Sequence, residues 1–77
     1  MTVEAAPIVP HPRFAELDVV RLRFDTADED VIFKEGTRGT IVYVHEDDRF
    51  FEVEFSKPVS AVLTLGYLDV LPITDAA

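Results

Sequence analysis

The sequence predicts an all-β fold, a small barrel of five short strands, and three observations carry that expectation. Apolar residues recur with a period of two, Val20 and Leu22 alternating with Arg21 and Arg23, which places every second side chain on one face of a strand. Gly36 and Gly39 stand just ahead of the β-branched stretch Thr40-Ile41-Val42, a pattern for a tight turn feeding a sharply bending strand. Glu46-Asp47-Asp48 then joins two alternating segments by a connection of hairpin length.

The elements follow in order. Residues 1–13 carry Pro7, Pro10 and Pro12 among small residues, which forbids a helix and predicts an extended or disordered arm. The folded unit is expected over 14–73, with 74–77 a frayed end. Residues 18–24 read as a half-buried strand with Val20, Leu22 and Phe24 inward, and 25–30 read as a polar, acidic loop. Val31-Ile32-Phe33 brings the chain back to the glycine pair, and strands are expected over 40–45 and 49–56.

The register of that hairpin can be derived. With His45 facing Arg49, the pairs Tyr43–Phe51, Ile41–Val53 and Gly39–Phe55 share one face, and Val44–Phe50, Val42–Glu52 and Thr40–Glu54 share the other. A slip of one residue would bury Glu52 and Glu54, so burial fixes the pairing. Residues 61–65 extend the apolar face by pairing Phe55 with Ala61, Val53 with Leu63 and Phe51 with Leu65. A 3₁₀-like turn at Tyr67-Leu68-Asp69 precedes a last strand over 70–73, confined to an edge by Pro72. A central three-strand meander and a turn before the final strand describe an SH3-like barrel; 56–60 is too short for the helix an OB-fold places there.

Composition bounds the function. The chain has 77 residues, 48% of them hydrophobic, enough for one core in one domain. Without cysteine it has no disulfide, zinc–thiolate site or thiol nucleophile. Fifteen acidic residues against seven basic ones give a net charge of −8, which repels phosphate backbones and anionic lipid, so neither nucleic acid nor membrane is expected as a partner. No signal-like or membrane-spanning apolar run occurs, and a cytoplasmic location is the expectation.

Three motifs, Glu16-Leu17-Asp18-Val19-Val20-Arg21-Leu22, Gly36-Thr37-Arg38-Gly39-Thr40-Ile41-Val42 and Phe51-Glu52-Val53-Glu54-Phe55, resemble those of an uncharacterised bacterial family of small stand-alone barrel proteins, a domain of unknown function. The likeness covers residues 14–73 and implies an SH3-like barrel with no catalytic residue to carry over. A looser likeness runs to the KOW-type barrels of ribosomal and transcription proteins. Those are typically basic, whereas Glu35, Glu46, Asp47 and Asp48 crowd the corresponding loops here.

Each candidate for chemistry has a plainer reading. His11 lies in the proline-rich arm and His45 at a hairpin end beside Glu46-Asp47-Asp48, where a solvated turn is expected rather than a metal site. Residues 25–30 are acidic like a calcium loop but lack EF-hand spacing and its glycine. Glu52 and Glu54 point the same way, but on an open face no cleft desolvates them for acid–base work. The expectation is no enzyme, no cofactor and no metal.

The derived register leaves an apolar cluster outside: Val42, Val44, Phe50 and Val62, with Glu52 and Glu54 beside them. A cluster holding a phenylalanine marks a contact surface unless the arm or the acidic loop covers it. The sequence therefore points to a non-catalytic protein-interaction module, pairing with itself or with a separately encoded protein. The alternative is an acidic, antitoxin-like or immunity-like inhibitor that caps the basic site of a toxin or nuclease.

Overall fold

The computed structural model describes residues 14–46 and 49–73. The expected arm over 1–13, the frayed end over 74–77, and Asp47 and Asp48 of the connection lie outside the described residues. Among the described residues seven strands follow one another: β1 Val19–Leu22, β2 Thr26–Asp28, β3 Val31–Phe33, β4 Arg38–Val44, β5 Phe50–Phe55, β6 Ala61–Gly66 and β7 Val70–Pro72. Five form one antiparallel sheet in the order β6-β5-β4-β1-β7, and β2 with β3 makes a separate two-stranded hairpin. This curled sheet, with a hairpin inserted between β1 and β4, is an SH3-like barrel.

The core explains the curl. β5 sends Phe51, Val53 and Phe55 inward, each nearly or fully buried, and packs them against Val20, Leu22, Ile41, Leu63, Leu65 and Val70. Aromatic rings close the two ends. Phe14 lies 5.2 Å from Phe51, and Phe33 lies 5.2 Å from Phe55, both pairs tilted as ring quadrupoles favour. Between them β4 must press its backbone onto β5's side chains. A Cβ on Gly39 would stand 2.6 Å from Val53 Cγ1 and 2.8 Å from Phe55 Cε1, so no side chain fits there. Gly36 answers a different demand, a turn with φ of +89° and open space around it.

Three expectations need correction. Residues 25–30 are no simple loop: Thr26–Asp28 pairs with Val31–Phe33 around a two-residue turn in which Glu29 takes φ of 55°. Asp25 fastens the base of this hairpin, its Oδ1 accepting from the Glu35 N–H at 2.8 Å and its Oδ2 lying 3.8 Å from Lys34 Nζ. Phe24 is half exposed rather than inward. β1 ends at Leu22, whose N–H donates to the Thr37 carbonyl while its own carbonyl accepts from Gly36, and the chain then bends away into the hairpin.

The third correction concerns β4. Thr40 pairs with Glu54 and Ile41 with Val53 as derived, but the register then shifts, so that Tyr43 pairs with Glu52 and Val44 with Phe51. Val42 is the extra residue of a β-bulge, and beyond it inward and outward positions exchange. Val44 therefore packs against the core, whereas Tyr43 is exposed. The β5–β6 pairing runs unshifted from Phe50↔Gly66 to Phe55↔Ala61.

Two substitutions test this packing. Val53→Ala removes fully buried methyl groups between Ile41 and Leu63 and should lower unfolding free energy by about 2–4 kcal/mol in denaturant titration. Gly39→Ala should lose about 1–3 kcal/mol by overpacking, and Gly39→Asn more, because the added atoms meet Val53 and Phe55. At Gly36 the order should reverse, Asn being milder than Ala, since only the left-handed backbone is at stake.

Candidate functional site

The outer face of β4, β5 and β6 concentrates what the sequence marked. β5 alternates strictly, so burying Phe51, Val53 and Phe55 turns Phe50, Glu52 and Glu54 outward. Pairing then builds rows across the sheet: Tyr43, Glu52 and Thr64 in one, Thr40, Glu54 and Val62 in the next. Phe50, opposite Gly66, is 49% exposed and Val62 54%; Val42 (39%) and Tyr43 (51%) join them at the bulge. Of the six residues expected to form the surface, Val42, Phe50, Glu52, Glu54 and Val62 are assembled here. Val44 is not, because the bulge turns it inward.

Tyr43 and His45 take the place that sequence reasoning gave to Val44. The two rings meet edge to face at 5.1 Å. His45 Nε2 donates to Glu52 Oε2 at 2.7 Å, and the Thr64 hydroxyl donates to the same carboxylate at 2.8 Å and 3.0 Å. His45 is thus fastened to the sheet and not a freely solvated turn residue. The available signal was polarity: an unbroken register would have turned the Tyr43 hydroxyl and the His45 ring toward an otherwise apolar core while leaving Val44 in water.

Both donors converge on one acceptor, and that fixes what the trio can do. A hydrolytic triad needs a hydroxyl donating to the imidazole, which in turn donates to the acid. Here the Thr64 hydroxyl bypasses His45 and donates directly to Glu52, so the ring is not placed to withdraw its proton. The network instead orders the centre of the face. His45, Glu46, Phe50 and Thr64 line an open depression at its rim. Among the described residues no group of three or more His, Asp or Glu is placed to hold a metal ion, and no helix is long and apolar enough to cross a membrane. His11 lies outside the described residues.

Hydrogen bonds from His45 and then Thr64 hold the Glu52 carboxyl below the usual glutamate value, outweighing the opposing effect of desolvation.

The fold and face define a small β-barrel with a polar, hydrogen-bonded centre flanked by exposed apolar side chains. The chain belongs to the family described as Domain of unknown function (DUF4926), whose profile matches residues 16–66. No curated protein and no solved structure matches it significantly.

A pH titration checks the network. A carboxyl that is a stronger acid in the folded than in the unfolded chain contributes stability above its unfolded value, about 4.3, and loses that contribution as pH falls through the folded value. Wild-type unfolding free energy should therefore drop on acidification below about pH 5, and Glu52→Gln should drop less steeply. Equal slopes in the two proteins would show that the carboxylate is not held as described.

Proposed function

We propose that this protein is a non-catalytic protein-interaction module of the bacterial cytoplasm that engages a partner through the outer face of β4, β5 and β6. The observation that carries the reading is the exposure of Val42, Tyr43, Phe50 and Val62 together on that one face. Clusters of large apolar side chains rimmed by polar groups are where association gains most from water release. The hydrogen bonds fastening His45 and Thr64 to Glu52 support it further, since a centre ordered before binding loses less conformational freedom on contact.

The net charge of −8 and the exposed Glu54 favour a second reading, an acidic inhibitor seated on a basic site of another protein. Salt separates the two. Association driven mainly by carboxylates weakens steeply as ionic strength rises, whereas apolar contact does not.

Phe50→Ala is the decisive variant. Its ring is half exposed, so fold stability should change by less than about 1 kcal/mol while partner affinity falls at least roughly tenfold. The measurement is calorimetric titration of wild type and variant against a partner recovered from the native host, with amide shift mapping of the bound face. Equal affinities, or shifts confined to another face, would refute the assignment.

A further inference from the structure

The edges of the five-stranded sheet are guarded unequally. β7 is three residues long and contains Pro72. β6 is six residues, Ala-Val-Leu-Thr-Leu-Gly, with no charge, no proline and no bulge in its pairing with β5. It lacks the devices by which exposed edges ordinarily avoid pairing.

The direction of its free groups follows from its neighbours. The Phe50 carbonyl accepts from His45 N–H in the β4 direction, and Tyr67 N–H donates to the Arg49 carbonyl one position beyond β6. In an antiparallel ladder such bonds alternate, so Phe51–Leu65, Val53–Leu63 and Phe55–Ala61 are the bonded pairs between β5 and β6. The N–H and C=O of Val62, Thr64 and Gly66 then point away from β5. Those of Gly66 are taken, its N–H donating to Asp69 Oδ2 at 2.8 Å and its carbonyl accepting from the Asp69 N–H at 2.9 Å. Val62 and Thr64, one residue on either side of Leu63, remain without a main-chain partner among the described residues.

We propose that β6 is a self-pairing edge, and that two copies of this chain join antiparallel about a two-fold axis through Leu63. In that register Val62 of one copy and Thr64 of the other exchange both main-chain hydrogen bonds, and the second such pair is generated by symmetry. The edge itself adds no side-chain charge at the contact, so the long-range repulsion between two copies of net charge −8 is not reinforced there. The side chains of β6 are uncharged; Glu52 and Glu54 sit one strand back on β5, and the Asp69 carboxylate, held by the Gly66 N–H, lies at the end of β6 beyond the Val62–Thr64 contact. Three strand spacings, about 14 Å, would separate Glu52 from the carboxylate directly across, Glu54 of the other copy, beyond the screening length of about 8 Å at physiological salt. The axis is perpendicular to the sheet, so the outer faces of both copies become one continuous surface. The inference thus rests on, and deepens, the reading of that face as a docking surface. A strand-to-strand contact is smaller than a standard protein interface, so the dimer is weak and concentration-dependent.

Sedimentation velocity from micromolar to millimolar protein tests it. Wild type should shift from its monomer mass of 8.7 kDa toward twice that value as concentration rises. Amide exchange at Val62 and Thr64 should slow over the same range. Val62→Pro, which removes an edge-facing N–H not used by β5, and Val62→Lys, which places a charge at the contact, should both stay monomeric with unchanged circular dichroism. Phe50→Ala should associate like wild type. A wild type that remains monomeric throughout, or a dimer that both Val62 variants leave intact, overturns the pairing. A dimer lost in Phe50→Ala alone also overturns it, placing self-contact on the outer face and leaving the proposed function standing.

Discussion

The contact between the Gly39 backbone and the side chains of Val53 and Phe55 is the constraint on which the barrel depends. β4 has to serve two neighbours. Arg38, Gly39 and Thr40 pair with β1, while the strand from Thr40 to Val44 pairs with β5. One strand can do both only by coiling across the inner face of β5, and the coil brings main chain where a side chain would ordinarily stand. With Gly39 in contact, Val20 and Leu22 reach the same core as Phe51 and Leu65, and β7 follows along the far side of β1. Phe14 and Phe33 then cover the two ends of the β5 row.

The second organising feature is the bulge at Val42, which separates a strand that supports the fold from one that supports the face. Before it, Ile41 belongs to the core; after it, Val44 turns inward and Tyr43 and His45 turn outward. The single inserted residue thereby delivers an imidazole to Glu52 at 2.7 Å. Without the shift, the Glu52 carboxylate would stand opposite Val42, and the polar centre of the face would lose one of its two donors.

How much of this was legible in the sequence depended on how strongly each segment is constrained by burial. In β5 and β6 every misplacement would have buried Glu52 or Glu54 or exposed Phe51 and Leu63, so the pairing could be derived residue by residue. β4 offered no such penalty at Val42, a β-branched residue at home in any strand, and a bulge there leaves no glycine or proline to mark it. Only the polar tips of Tyr43 and His45 argued against an unbroken ladder. The acidic stretch misled for a related reason. Ala27 and Asp28 have little strand preference of their own and Thr26 alone is too short a signal, so their pairing is imposed by Phe33, which is anchored in the core, and by Asp25 closing the hairpin at Glu35. The face was therefore readable where it shares a strand with the core, and unreadable where the bulge breaks the alternation.

The uncharged edge of β6 has a colloidal consequence. At neutral pH the monopole of −8 keeps molecules apart at long range, so such an edge is tolerable on a chain that otherwise bristles with carboxylates. That protection is a property of the solution as much as of the sequence. Near the isoelectric point of about 4.4 the repulsion vanishes while the geometry of β6 remains. Strand addition need not then stop at a closed pair, because any extended segment of a neighbouring molecule can be templated by Val62 and Thr64. Acidity would thus turn the proposed self-limiting contact into an open-ended one, and the surplus of carboxylates would serve as a safeguard against precipitation.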